Sequence, residues 1–267
     1  MRGGMAATPS AAARVRMESG RWERWFTASW DRVLMIHLEV DPGALALEVP
    51  FALDLWEGRA FVTLVAFTMR GMRPVVGGAL GAWMFGPIAT HRFLNVRTYV
   101  RHGVESGIHF LAEWLSSGLA VLLGPRTFGL PYRHGGLEYA HDWERGGVAG
   151  RVRDFRTDAS LGYCATLDRG NEFGTCESGT HAAWLMERYT AFTECGGTRR
   201  FFRVWHEPWP QVEASAELLD RALLEVQWPW MREAQVVGAN FSPGLTGVWM
   251  GRPHRLPADQ DSESGVT

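Results

Sequence analysis

The sequence predicts an α+β fold built on a large antiparallel curved sheet or open barrel, with a few helices packed outside. Three observations carry this reading. Strand-like runs outnumber helical ones, and the turns between them suit antiparallel neighbours. In residues 59–69, Phe61, Val65, Phe67 and Met69 lie opposite Val62, Leu64 and Ala66, so this strand must be covered on both faces. Residues 92–101 alternate: Leu94, Val96, Thr98 and Val100 point one way, and Asn95, Arg97, Tyr99 and Arg101 the other. One side of that strand belongs in a core. The other is a ladder of hydrogen-bonding and cationic groups.

The elements follow in order. Residues 1–20 are small, polar and aperiodic, which reads as a flexible tail. A strand is predicted over 32–40, and Asp41-Pro42 then opens a short helix that stops before Pro50. Glu57-Gly58 is a tight hairpin turn between strands at 52–56 and 59–69. After a long loop at 71–91 come the strand at 92–101, a turn at 102–107 and a strand at 108–114. Ser116 caps a helix to about residue 126, ended by Gly129 and Pro131. Further strands are expected near 148–156, 160–167, 199–207, 211–216, 234–240 and 246–250, with a helix near 179–192 capped by Ser178. No linker or internal repeat interrupts this, so 21–255 reads as one domain and 256–267 as a second flexible tail.

Composition narrows the function. The 267 residues include no lysine, so all 27 basic residues are arginine and no lysine imine can form. A GC-rich genome accounts for this gap, since isoleucine and asparagine, which also use AT-rich codons, occur only three times each. A net charge of −2 offers no basic face for nucleic acid. Thirteen tryptophans suit a core or an apolar pocket. Cys164, Cys176 and Cys195 show no metal-ligand spacing and read as reduced thiols. No signal-like or membrane-spanning segment stands out, because glycines and Pro87 break the apolar stretch at 75–90. A cytoplasmic protein needing no cofactor is the expectation.

Several segments, taken in order, resemble a known family. They are Phe61-Val-Thr-Leu-Val-Ala-Phe-Thr-Met-Arg-Gly-Met-Arg-Pro74, Leu94-Asn-Val-Arg-Thr-Tyr-Val100, Phe128-Gly-Leu-Pro-Tyr132, Glu187-Arg-Tyr189 and His206-Glu-Pro-Trp-Pro210. Together they resemble the YqjF-like proteins, domain of unknown function 2071, from about Trp25 to Trp249. The resemblance implies the fold of acetoacetate decarboxylase, a cone-like β-barrel around a small-molecule cavity. That enzyme's imine-forming lysine has no counterpart here, so its mechanism does not carry over. The family's relatives tend to carry an aromatic-rich strand ending in Ser-Leu-Asp, where this chain has Gly107-Ile-His-Phe-Leu-Ala-Glu-Trp114. His109 and Glu113 are thus particular to this chain or its subgroup.

The candidate site starts from Arg97, a cation in mid-strand that needs a carboxylate partner or an anionic ligand. With Tyr99 opposite Leu111, Arg97 would face Glu113 and Arg101 would face His109. That register gives an internal salt bridge, and a slip of one residue would separate the pair. Otherwise the guanidinium receives a substrate carboxylate, with Asn95 and Tyr99 fixing its orientation. His37, His206 and His109 are candidate bases, each also readable as a hydrogen-bonded core residue. His109 and Glu113, on one strand face, would be half of a metal site lacking its other ligands, so no metal is assigned. Arg188, Tyr189 and Arg203 read as structural pairs or solvated charges. By analogy with the family fold, Tyr132 lies at the cavity mouth.

The function expected is binding of a small carboxylated or carbonyl-bearing organic molecule. The alternatives are a lysine-independent lyase, isomerase or cyclase using arginine and histidine, and a non-catalytic interaction protein. Residues 75–90, with Trp83, Met84 and Phe85, are too apolar to lie free in water. They read as a lid that brings Trp83 to the ligand, with a homodimer contact as the runner-up and a static flap completing the core as the plain alternative.

Overall fold

The computed structural model describes residues 8–167, 170 and 172–256. In chain order the elements are α1 (Pro9–Ser19), β1 (Arg24–Val40), α2 (Pro42–Ala46), β2 (Ala52–Leu53), β3 (Ala60–Pro74), α3 (Gly78–Phe85), β4 (His91–His102), β5 (Glu105–Leu115), α4 (Gly118–Phe128), β6 (Tyr132–Asp142), β7 (Gly147–Asp154), β8 (Ser160–Leu167), α5 (His181–Met186), β9 (Thr190–Cys195), β10 (Thr198–Trp205), β11 (Val212–Asp220), α6 (Ala222–Gln227), β12 (Gln235–Gly251) and β13 (His254–Arg255). The fold is α+β, with all thirteen strands in one sheet.

Two strands fork, and the forks make two closed circuits. The edge of β5 pairs in parallel with β9 at Ile108 and His109, and with β6 from Glu113 to Leu115. Likewise β12 pairs with β11 at Ala239–Phe241 and with β10 at Trp249 and Met250. One circuit is a ring of nine strands: β5, β6, β7, β8, β11, β12, β1, β3 and β4. The other runs through β5, β9, β10, β12, β1, β3 and β4.

The shared strands β12, β1, β3, β4 and β5 are therefore buried on both faces, as the two-sided apolar pattern of residues 59–69 requires. Leu34, Ile36, Leu64, Leu94, Val96 and Trp114 fill the nine-strand ring. Val33, Met35, Val65, Phe67, Phe93 and Tyr99 face the smaller circuit. A period-2 strand delivers alternate residues to two cores, and Val96 and Arg97 belong to different ones.

The turn at Glu57-Gly58 forms, with both residues at positive φ and Trp56 and Arg59 exchanging backbone bonds at 2.9 and 3.0 Å, but the expected hairpin stops at that one bridge, because β2 is only Ala52–Leu53 and pairs with β4. Other expectations need correction. The residues around Gly244 were read as a break between two strands, but β12 runs through them. Gly244 has φ +124°, and a Cβ there would lie 2.1 Å from Trp30 O. Only glycine lets β12 pass β1 so closely. The region of the predicted helix at 179–192 contains α5, which is shorter and capped by Thr180, followed by β9. β6 is not among the expected strands, and it carries the adjacent glycines Gly135 and Gly136. A Cβ on Gly135 would lie 2.7 Å from Arg153 O, so the glycine serves close strand packing.

The tails also differ. Thr8 caps α1 with Pro9 in its first turn. Ala13 and Met17 are buried against Tyr189 and Trp205, and Ser10 Oγ donates to His206 O at 2.6 Å. Alanine-rich sequence reads as loose because it is poor in large apolar residues, but its small side chains let the helix sit close. Leu256 N donates to Arg199 O at 3.0 Å. Residues 1–7 and 257–267, the rest of the expected tails, lie outside the described residues.

Candidate functional site

The smaller circuit encloses a cavity of about 110 Å³. One water needs roughly 10–15 Å³ of such space, so there is room for several waters or a small organic molecule. Most of the wall is apolar: Val33 and Met35 from β1, Val65 and Phe67 from β3, Phe110 from β5, Phe202 from β10. Into this wall are set Asn95, Arg97, Glu113, Tyr132, Arg188 and His206. An apolar chamber with a few convergent polar groups is the usual form of a small-molecule site.

Arg97 is 8 % exposed and has no carboxylate within 4.0 Å among the described residues. Its Nη2 donates to Leu185 O at 3.3 Å and touches Met35 Sδ at 3.7 Å, and its Nε has no partner. Arg188 donates from Nη1 to Asp54 Oδ2 at 2.7 Å and from Nε to Trp184 O at 2.6 Å, while Nη2 is unpartnered. Its guanidinium lies over the Trp184 ring at 4.4 Å. Burial lowers the Arg188 pKa, Asp54 opposes that, and the Arg97 charge lowers it further. Two cations thus share one desolvated chamber with a single carboxylate, Asp54, in contact with Arg188.

The expected Arg97–Glu113 pair does not form. At the hairpin's closed end the register is Arg97 opposite Phe110, then shifts so that Val96 faces Ala112 and Asn95 faces Glu113. Leu111 is the extra residue, a β-bulge between the stretches of β5 that pair with β9 and β6. The bulge also inverts the alternation. Ile108, Phe110 and Glu113 line the cavity, whereas His109 lies on the other face against Phe51. His109 and Glu113 are therefore not on one face, and the half metal site is withdrawn. Arg101 faces Ser106, not His109.

Glu113 is 3 % exposed, its Oε2 has no partner, and burial raises its pKa to about 8. It is a neutral acid at pH 7, held in the cavity wall. Across the fork stands Tyr132, whose pKa burial drives well upward, with the Glu113 charge adding to the effect. Tyr132 also lines a second chamber of about 140 Å³, bounded by Phe85, Ile88 and α4. It stands between the two spaces.

Of the candidate bases, only His206 reaches the cavity. Its Nδ1 donates to Glu207 O at 2.7 Å, it packs against Trp30, Tyr189 and Trp209, and burial lowers its pKa to about 4. His37, two residues beyond Met35 on β1, does not line the cavity. Its Nε2 donates to Asn240 Oδ1 and its Nδ1 accepts from Thr63 Oγ1, both at 2.9 Å. Tyr99 Oη lies 2.6 Å from Thr63 Oγ1 and 3.0 Å from Leu185 O, with one proton to share between them. Leu185 O also receives Arg97, so His37 and Tyr99 belong to the network that positions Arg97 and do not line the cavity. Trp83, expected at the ligand, is 77 % exposed and lines neither chamber. On a short helix only one side faces inward, and Phe85 takes it.

Sequence reasoning undervalued Arg188 and missed Thr190, Trp30 and Trp209. Trp209 stacks on Trp30 at 5.6 Å, and its Nε1 is unpartnered. The Glu-Arg-Tyr and Glu-Pro-Trp-Pro segments held the signal, but the β10–β12 pairing that brings them to β1 is not local.

The family model described as an uncharacterized conserved protein, domain of unknown function 2071, matches residues 27–243. The uncharacterized protein YqjF of Bacillus subtilis strain 168 is 29% identical over 197 residues, covering 71% of this chain and 76% of that one. An acetoacetate decarboxylase-like enzyme from Sphingomonas wittichii RW1 shares the fold with a TM-score of 0.59 at 17% identity, over 88% of this chain and 94% of the other. The enduracididine biosynthesis enzyme MppR, solved with pyruvate, gives 0.58 at 11% identity over 89% and 92%. At such identities the likeness is one of fold alone. The chain belongs to the family of uncharacterized conserved proteins designated domain of unknown function 2071.

Proposed function

We propose that this protein binds a small, largely apolar organic molecule through a carboxylate or carbonyl group, in the cavity beside Arg97. One observation carries the reading. Asn95 Oδ1, Arg97 Nε, Glu113 Oε2, Arg188 Nη2 and Trp209 Nε1 all belong to cavity-lining residues, and all are buried without a hydrogen-bond partner. Each such atom costs about 1–3 kcal/mol, so their convergence on one space favours a ligand that satisfies them. An oxyanion answers the two guanidiniums, and the apolar wall takes the rest of the molecule. The three free cysteines are consistent with work in the cytoplasm.

A panel of small organic acids and ketones, read by native mass spectrometry and thermal shift, tests this. A hit should lose at least about tenfold in affinity in Arg97→Met, in line with the loss of one charge-assisted contact. Unchanged affinity in that variant, or no hit across the panel, would sink the reading.

A second reading makes the protein a lysine-independent isomerase or lyase, and the Glu113 carboxyl favours it. A buried acid near pKa 8 is poised to move a proton at neutral pH while Arg97 holds an oxyanion. In that case Glu113→Gln keeps ligand binding but abolishes deuterium exchange at the carbon next to the ligand's carbonyl. Equal exchange in the native chain and the variant rejects Glu113 as the proton carrier.

A further inference from the structure

We propose that the outer face formed by α3 and α4 docks the protein onto an anionic lipid surface. None of the eight residues of α3 is buried. Leu80, Trp83 and Met84 stand out from it, and Leu119, Leu122 and Leu123 stand out from α4. Residues 74–90 carry no charge at all. A contiguous apolar tip with an exposed tryptophan is what an interfacial, non-spanning anchor requires. Among the described residues no helix is long and apolar enough to cross a membrane.

The two helices form one face. Phe85 and Ile88 meet Ala120, Leu123 and Gly124 around the 140 Å³ chamber. Val75 N donates to Trp25 O at 2.9 Å, and Trp25 packs edge-on against Phe128 at the end of α4. That ties the start of β1, with exposed Trp22 and Trp25, to the same end of the molecule.

Charge selects the occupant. From residue 58 to 104, and again from 114 to 137, the sequence contains arginine but neither aspartate nor glutamate. Arg73 faces Thr27 on β1, and Arg24 lies over the Trp249 ring, both beside the tip. Glu23, the acid next to Arg24 in sequence, is buried and bound to Arg252 and His254. Arginines beside an apolar tip complement acidic headgroups over hydrocarbon. A second copy would set the acid-free stretches 58–104 and 114–137, with their arginines, against themselves, which disfavours self-association. The chamber beneath the tip borders the ligand cavity at Tyr132, so the docked face covers a side of the protein adjoining that space. The docking inference rests on surface chemistry and does not depend on what the cavity holds.

The test is flotation of the full chain with phosphatidylcholine vesicles, with and without phosphatidylglycerol, at low and high salt. The native chain should float with the phosphatidylglycerol vesicles and lose binding as salt rises. Trp83→Asp and Leu122→Asp should each lower the partition coefficient at least about tenfold, because each removes a large apolar group and adds a charge at the interface. Arg73→Glu should abolish the preference for phosphatidylglycerol. Leu47→Asp, an exposed position just after α2, should float as the native chain does. Native-like partition of Trp83→Asp, an equal loss in Leu47→Asp, or no flotation with either vesicle would overturn the proposal. So would a dimer that Trp83→Asp splits without any vesicle binding, which would assign the face to a second copy. Organic-acid binding is measured without vesicles, so its failure and that of the docking surface are read separately.

Discussion

At pH 8 the Glu113→Gln variant will melt well above the native chain, and at pH 4 the two will melt nearly together. Burial holds the folded-state pKa of Glu113 at about 8, against an ordinary value of 4.5. Below pH 4.5 the group is protonated in both folded and unfolded chains and contributes no pH dependence. Between 4.5 and 8 the unfolded chain gives up a proton that the folded chain keeps, so stability falls as pH rises. Above 8 the loss levels off. Each pH unit across that window is worth about 1.4 kcal/mol, roughly 5 kcal/mol in all. Glutamine is close in shape and carries no such penalty. A domain of this size moves its Tm by about 2–4 °C per kcal/mol, so a gain of about 10 °C at pH 8 is expected. Parallel melting curves of the two proteins from pH 4 to 9 would mean that Glu113 is solvated or ion-paired.

This penalty has a functional meaning. A group that destabilises the fold at working pH, stands in a cavity wall and lacks a partner for Oε2 is what remains when a site is built for something absent. A ligand that accepts a hydrogen bond from the neutral acid would remove the penalty and raise the Tm of the native chain more than that of the variant.

The face assignments of β4 were legible because period 2 is a local property: Asn95 and Arg97 face the cavity, and Val96 and Leu94 face the other core. The two-sided burial of β3 was legible for the same reason. What failed were relations between strands. The bulge at Leu111 moves Glu113 from Arg97 to Asn95 and turns His109 away, and no residue type near it announces an insertion. A hairpin whose edge is divided between two further strands must bend, and that demand comes from β6 and β9, which lie far along the chain. The same non-locality hid Trp209 and Arg188, which reach the site only because β10 pairs with both β9 and β12. The apolar stretch at 75–90 was recognised, but its glycines concealed a helix, and the residue chosen as its inward anchor, Trp83, is the one that points out.

Acid will unfold the protein through its buried histidines. Burial lowers His37 to about 3 and His91, His141 and His206 to about 4, each from an ordinary 6.5. The nearby Arg97 charge adds to this at His37 and His206. A folded-state pKa below the unfolded one gives stability that is complete above pH 6.5 and lost as pH falls toward the folded value. Four such groups approach about 5 kcal/mol per pH unit, and Glu113 offsets about 1.4 of that down to pH 4.5. Against a typical reserve of about 5–15 kcal/mol, the fold should fail between roughly pH 4 and 5, above the range where paired carboxylates alone would act. Stability should peak near pH 7, where the Glu113 penalty is still partial and the histidine losses are only beginning. His37→Gln removes one titration while keeping a donor toward Asn240, so the fall of Tm per pH unit between 6.5 and 4.5 should shrink by about a third. The slope, not the midpoint, is the measurement, because the variant also alters packing beside Arg97. An unchanged slope, or a native chain that stays folded to pH 3, would show that these histidines reach solvent and take protons without opening the core.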